Sequence, residues 1–172
     1  MSCADVLLNQ VESIYHSKPV STKLLPFAVE ASWVTGKWAA MGNFLSGDSS
    51  KNTGEFNVEI GHALLALRRG DREVFSDAIR RLQKDLARGL SRPTTASVQS
   101  CRDDLLKFHV LTEMELVSGV KEVSAIDRQS IMGMLDRRLE VLGAFLSDKQ
   151  YLLGVRRAAM QLSRYVQRLS GE

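Results

Sequence analysis

Both tryptophans of the chain lie in one short stretch, residues 29–41, on either side of a glycine. Trp33 and Trp38 are five residues apart, so a continuous helix would place their rings about 140° apart around its axis. A helix that ends at Gly36 avoids this, because glycine adopts the left-handed conformation after a helix at little cost. The stretch therefore predicts two helices meeting at a corner, with both tryptophans in the core rather than in a ligand-stacking site.

The composition favours helices throughout. The 172 residues include only three prolines and 6% aromatic residues, and clusters of Val and Ile typical of strands are absent. This indicates an all-α fold, either as one domain or as four or five helix pairs of a solenoid.

Apolar residues recur at helical spacing over most of the chain and predict about eight helices. The predicted helices cover residues 3–16, 22–33, 38–45, 55–69, 72–86, 95–119, 127–145 and 148–169. Helix pairs of about 35–45 residues match tetratricopeptide-like spacing. We therefore predict antiparallel helix pairs stacked as a tetratricopeptide-like α-solenoid, in a single segment 1–172. The last helix is as apolar as the inner ones, so we expect the segment to be excised from a much larger chain.

Polar residues mark the predicted helix ends. Gly70 is predicted to end one helix and Asp71 to cap the next. Thr94 or Thr95, Asp127, and Ser147 or Asp148 are the candidate caps of the last three helices. The helix before residue 119 is apolar on two faces, which predicts an inner helix.

Charge and cysteine content exclude several classes of protein. Residues 1–119 carry 14 basic and 14 acidic side chains, and residues 120–172 carry 9 and 6. So small an excess does not predict a nucleic-acid surface. Cys3 and Cys101 are too isolated for a zinc motif and are read as reduced thiols. No apolar run reaches membrane-spanning length, and no signal peptide is recognisable.

Catalytic motifs are absent from the sequence. It contains no glycine-rich phosphate loop, GxSxG, HExxH or kinase element. His16, His62 and His109 stand apart and are expected to be surface or packing residues. Asp103–Asp104 and Glu113/Glu115 are read as solvated helix faces, and most members of the four Arg-Arg pairs are expected to be exposed. We predict no catalytic, cofactor-binding or metal-binding residue.

The motif Ala-x-Trp-x-x-Gly-x-Trp at residues 31–38 resembles the signature of the FAT domain of phosphatidylinositol-3-kinase-related kinases. A second similarity covers the apolar helix pair of residues 56–86 and the segment 111–115. A third covers Leu135–Leu139, Ser147 and residues 152–157, with Leu135 where the family usually has Trp. The signature residues implied by this resemblance are Trp33, Gly36, Trp38, Phe56, Gly70, Phe75, Arg138, Leu139, Arg156 and Arg157.

The residues before Trp33 are more similar to ATR-type checkpoint kinases than to the TOR type. The resemblance implies a non-catalytic scaffold inside a large nuclear serine/threonine kinase of DNA-damage signalling. It implies contacts with the rest of the parent kinase chain, a regulatory protein subunit and a second copy, and none with nucleic acid or membrane. Alternatives are a stand-alone tetratricopeptide-like adaptor that binds peptides and, less favoured, a small helical-bundle enzyme.

Residues 46–54 are polar and glycine-rich and are predicted to form a flexible loop. Limited proteolysis should therefore cut there first and leave a protected C-terminal fragment that begins near Glu55. N-terminal sequencing of the first fragment tests this, and initial cleavage within residues 56–67 would contradict the helix predicted there.

Overall fold

A computed structural model describes residues 3–15, 23–46, 54–90, 97–119 and 125–169. These residues form eight α-helices: α1 (Cys3–Tyr15), α2 (Leu25–Thr35), α3 (Trp38–Ser46), α4 (Phe56–Arg69), α5 (Arg72–Leu90), α6 (Val98–Gly119), α7 (Ala125–Val141) and α8 (Leu146–Leu169). They contain no β-strand, so the all-α prediction is confirmed. None of these helices combines the length and apolar character that a membrane crossing requires.

The chain divides into two compact units, Met1–Asp71 and Arg72–Glu172. Whether the whole of 1–172 is one helical-repeat segment stays a prediction. Of the loop predicted at 46–54, residues 47–53 lie outside the described residues, and Ser46 is the last residue of α3.

Helix α2 is the centre of the first unit and packs against α1, α3 and α4. The sequence of α2 is apolar on nearly every side because most of the helix is buried. Its buried residues are Leu25, Pro26, Ala28, Val29, Ala31, Ser32 and Trp33. Pro26 is tolerated because it lies in the first turn, where its missing N–H would have no helical partner.

Gly36 ends α2 as predicted. Its φ of 73° is left-handed, and its N–H donates to the Trp33 carbonyl at 3.3 Å. The Lys37 N–H donates to the Ser32 carbonyl at 2.9 Å, which completes a Schellman motif. Gly70, with φ of 77°, ends α4 by the same pair of bonds, since Gly70 and Asp71 donate to Leu67 and Ala66.

The corner buries one tryptophan and not both. Trp33 is 2% exposed, whereas Trp38 is only half-buried. The prediction of two core rings is therefore wrong for Trp38. The reason is that Trp38 is the first residue of α3, whose buried residues, Met41, Phe44 and Leu45, lie one and two turns further on.

Helix α4 fits closely against α2 and α3 because Gly61 has no side chain. A Cβ at that position would lie 2.5 Å from Val29 Cγ1 and 3.1 Å from Leu45 Cδ1. Val29 is fully buried, so it has little room to move away. The missing side chain of Gly61 thus allows α4 to pack closely against both α2 and α3.

Helix α6 is the centre of the second unit and packs against α5, α7 and α8. The prediction of an inner helix is confirmed. Apolar side chains of all four helices form the core of this unit: Phe75, Ile79, Leu82, Val110, Leu111, Met114, Val117, Leu135, Leu152, Val155 and Leu162.

Three predicted helix starts are corrected. Helix α6 begins at Val98, where Ser97 Oγ accepts a hydrogen bond from the Ser100 N–H at 3.1 Å. The predicted caps Thr94 and Thr95 lie outside the described residues. Helix α7 begins at Ala125, so Asp127 lies inside the helix and cannot cap it.

The turn between the last two helices is also longer than predicted. Helix α7 ends at Val141, and Gly143 in the turn has a left-handed φ of 63°. Helix α8 then begins at Leu146, one or two residues before the predicted start at Ser147 or Asp148.

Helical spacing of apolar residues would place Val74 of α5 and Leu105 of α6 in the core, but the structure exposes both. Val74 is 54% and Leu105 is 56% exposed. The buried line on α5 runs through Phe75, Ile79 and Leu82, so Val74 is rotated about 100° from its first member. On α6 the buried residues follow Val110, and Leu105 points away from them.

Replacing Gly61 with Ala should destabilise the first unit. The added methyl group overlaps Val29, and overpacking of this kind costs about 1–3 kcal/mol. The matched control is Gly42→Ala in α3, where a Cβ meets no atom within 4 Å. That variant should gain roughly 0.5–1 kcal/mol from better helix propensity. Urea unfolding measures both, and equal effects of the two substitutions would contradict the close packing.

The two tryptophans should respond differently to truncation. Trp33→Ala should cost about 3–5 kcal/mol, because it removes a buried ring and leaves a cavity. Trp38→Ala should cost roughly 1–2 kcal/mol, because part of that ring already contacts water. Lys37→Ala is the control and should cost under about 0.5 kcal/mol. Thermal unfolding decides the matter, and a Trp33→Ala protein as stable as wild type would favour a ligand-binding surface.

Candidate functional site

The second unit contains a buried pair of opposite charges. Glu113 of α6 is 1% exposed and Arg156 of α8 is 7% exposed. No other carboxylate or cation is buried to this degree among the described residues. Since an isolated charge is strongly destabilised away from water, the surroundings of this pair must neutralise both groups.

The two side chains meet as a fork. Arg156 Nε donates to Glu113 Oε2 at 2.7 Å, and Arg156 Nη2 donates to Glu113 Oε1 at 2.9 Å. Both carboxylate oxygens are therefore bound by one guanidinium, the strongest arrangement available to these two groups.

The same guanidinium reaches the third helix. Arg156 Nη2 also donates to the Leu135 carbonyl of α7 at 2.8 Å. Asp136, largely exposed, has a carboxylate oxygen 3.9 Å from Arg156 Nη1. One arginine thus links α8 to α6 through a carboxylate and to α7 through a backbone oxygen.

The sequence interpretation of these residues is corrected. The solvated helix face expected for Glu113 is wrong. Most members of the four Arg-Arg pairs are exposed, as expected, and Arg156 is an exception. Arg157 is exposed, but Glu113 and Arg156 are buried. A signal was present: Glu113 lies three residues after Val110 and four before Val117, in phase with the buried line of α6. Arg156 lies likewise between Leu152 and Ala159.

A second polar contact joins α6 to α7. Arg138 Nη1 lies 3.0 Å from His109 Nδ1, with both side chains partly buried. Burial, and secondarily the nearby Arg138 charge, lower the pKa of His109, while Glu113 opposes the shift. His109 is thus a packing histidine, and its neutral ring accepts a hydrogen bond from the guanidinium.

A third contact fixes the start of α8. Arg102 of α6 pairs with Asp148 in the first turn of α8, with Nε 3.0 Å from Oδ2. Its guanidinium carbon lies 3.2 Å from the centre of the Phe145 ring. This cation–π contact covers one face of the Phe145 ring, and the residue is otherwise 52% exposed.

In the first unit a comparable polar contact joins α2 and α4. Asn57 Nδ2 donates to Glu30 Oε2 at 2.9 Å. Partial burial raises the pKa of Glu30, and the hydrogen bond from Asn57 opposes this shift. Because its pKa is raised, this carboxyl favours folding most when protonated and less as pH rises above its ordinary range.

The predicted signature residues fall at separate places. Phe56 begins α4 and is half-buried, Phe75 is buried in α5, and Leu139 is half-buried in α7. Of the basic members, Arg138 and Arg156 make the contacts described above, whereas Arg157 is exposed. The structure brings Arg138 and Arg156 to the same cluster of α6, α7 and α8. The sequence did not indicate that His109 and Glu113 would be their partners.

The chemistry open to this cluster is structural. Glu113 and Arg156 occupy each other's hydrogen-bonding groups, and His109 binds Arg138. Within the described ranges, no three His, Cys, Asp or Glu residues are grouped so that they could hold a metal ion. The cluster fixes the positions of α6, α7 and α8.

Breaking the buried pair from one side should be costly. Arg156→Met leaves Glu113 charged and without its guanidinium in the core, which typically costs 3–5 kcal/mol, so we expect a loss of about that size. Adding Glu113→Leu should recover most of the loss, since an apolar pair replaces the ion pair. Arg157→Met, at the exposed neighbour, should cost under about 0.5 kcal/mol. Urea unfolding of the wild type, Arg156→Met, Glu113→Leu and the double variant gives the coupling energy, and additive effects would contradict the buried fork.

Comparison with known proteins places this helical arrangement in a family. The FAT domain profile matches residues 25–168, from the first residue of α2 almost to the end of α8. No solved structure matches the chain. The FAT domain is a non-catalytic helical scaffold found in phosphatidylinositol-3-kinase-related kinases. With most of its length matched, the chain belongs to the FAT domain family.

Proposed function

We propose that this chain is a scaffold segment of an ATR-type checkpoint kinase, a nuclear serine/threonine kinase of DNA-damage signalling. The observation that carries the scaffold role is the Arg156 fork. The fork joins three helices through a buried ion pair and a backbone carbonyl. Both carboxylate oxygens of Glu113 are bound by Arg156 and are therefore not available to a substrate. The ATR-type assignment rests on the similarity of the residues before Trp33.

In this role the segment supports the kinase domain mechanically. A helical scaffold transmits force and position only if its helices keep their register, and a bidentate buried ion pair fixes register more sharply than apolar contacts do. The partners proposed for its surfaces are the rest of the parent kinase chain, a regulatory protein subunit and a second copy.

The scaffold role is tested in the intact parent protein. Arg156→Met should lower kinase activity in proportion to the lost stability of the segment, and adding Glu113→Leu should restore much of it. The measurement is phosphorylation of a peptide substrate by the purified parent protein. Unchanged activity of the Arg156→Met protein, together with a clearly destabilised isolated segment, would contradict the support role. A parent reading frame without a kinase domain would favour the peptide-binding adaptor.

The checkpoint assignment is tested separately. Cells whose parent protein carries Trp33→Ala should lose viability when replication is blocked by a drug and grow normally when nutrients are withdrawn. The tagged wild-type protein should be nuclear. Sensitivity to nutrient withdrawal alone would instead favour the TOR type, leaving the scaffold role intact.

A further inference from the structure

Among the described side chains of helix α7, one apolar side chain is fully enclosed. Leu135 is fully buried, whereas Met132, Met134 and Val141 are 41%, 37% and 74% exposed. Two arginine contacts supplement that packing: Arg138 with His109, and Arg156 with the Leu135 carbonyl. Loss of either contact therefore bears on the attachment of the whole helix.

The Arg138 contact requires a neutral histidine. A guanidinium has only donors and stays protonated at any pH a protein survives. His109 Nδ1, 3.0 Å from Arg138 Nη1, must therefore be the acceptor and carry no proton. We propose that this contact is a proton-sensitive latch, which holds α7 on α6 while His109 is neutral and loosens α7 when the ring is protonated.

Protonation would act in two ways at once. The Nδ1 acceptor is lost, and a second positive charge arises about one hydrogen-bond length from Arg138. The nearest compensating carboxylate, Glu113, lies one turn along α6 and has both oxygens bound by Arg156. It cannot turn to the imidazolium without giving up a buried ion pair.

The other elements packed on α6 do not offset this change. Helix α8 contributes Arg156, a further cation, through Glu113. Within the described part of the chain, the charges that shift the pKa of the His109 ring are those of Arg138 and Glu113. Lys107 and Asp104, on α6 itself, pair with each other at 3.4 Å.

The direction of the pH effect follows from the environment of the ring. The pKa of His109 is lowered in the folded state, chiefly by burial. A histidine of this kind stabilises the closed state fully above its ordinary pKa, near 6.5, and that contribution is lost as pH falls toward the folded value. The latch is therefore closed at neutral pH and loosens in mild acid, where it uncovers Leu135.

Hydrogen exchange of the 172-residue chain tests the proposal. After correction for intrinsic exchange, protection of α7 amides should fall by roughly threefold or more between about pH 7.5 and about pH 5.5, with α5 changing little. The matched control is His109→Asn, because the Asn Oδ1 can accept from Arg138 and does not titrate. In that variant, α7 protection should be the same at both pH values.

Two results would overturn the latch. One is equal α7 protection in the wild-type chain at both pH values, and the other is the same fall in the His109→Asn chain. A second measurement does not depend on the variant's stability: NMR titration of the His109 Cε1–H signal. Arg138→Met should raise the midpoint of that titration, because it removes the neighbouring charge. An unchanged midpoint would show that Arg138 does not act on the ring.

Discussion

A carboxylate that leaves water in a protein core must find a partner at a defined place, and this constraint shapes the second unit. Glu113 is enclosed on α6, and Arg156 of α8 satisfies both of its oxygens. Because the same guanidinium binds the Leu135 carbonyl, α7 is tied to the same point. Such a pair adds little net stability over an apolar pair of similar volume. Its contribution is that a shift of α6 or α8 would leave a buried charge unpaired, and a shift of α7 would break the bond to the Leu135 carbonyl.

In the first unit, close packing of side chains fixes the positions of the helices relative to one another. Gly61 lets α4 lie against Val29 and Leu45 at a distance that no side chain would permit. The Schellman motif at Gly36 then turns the chain into α3, and Ser32, the buried polar residue of α2, bonds to the Ala28 carbonyl of its own helix. The side-chain contact between α2 and α4, Glu30 with Asn57, is only partly buried. Two different physical devices thus fix helix position in one FAT domain segment.

The sequence predicted the number of helices and the helix ends at Gly36 and Gly70. Both depend on local properties: the spacing of apolar residues along the chain, and the left-handed backbone conformation that glycine adopts. Helix starts were less predictable: Ser97 caps α6, although Thr94 and Thr95 are equally good cap residues by composition. That Trp33 is buried and Trp38 only half-buried could not be predicted, because it depends on which part of α3 packs against the other helices. The buried pair was missed because a charged residue on an apolar line is usually solvated, and its partner lies 43 residues away. The helical spacing of Glu113 and Arg156 from buried apolar residues indicated that each could be buried. It could not indicate that the two side chains pair, because pairing depends on how α6 and α8 pack together.

Glu113 holds the Arg156 guanidinium in the core, whereas the neighbouring Arg157 is exposed to water. Side-chain NMR of the arginine Nε–H groups measures this most directly, with Arg156→Met and Arg157→Met used to assign the two signals. We expect the Arg156 Nε–H to exchange with water far more slowly than that of Arg157, because its acceptor at 2.7 Å is buried. Equal and rapid exchange of the two groups would contradict it.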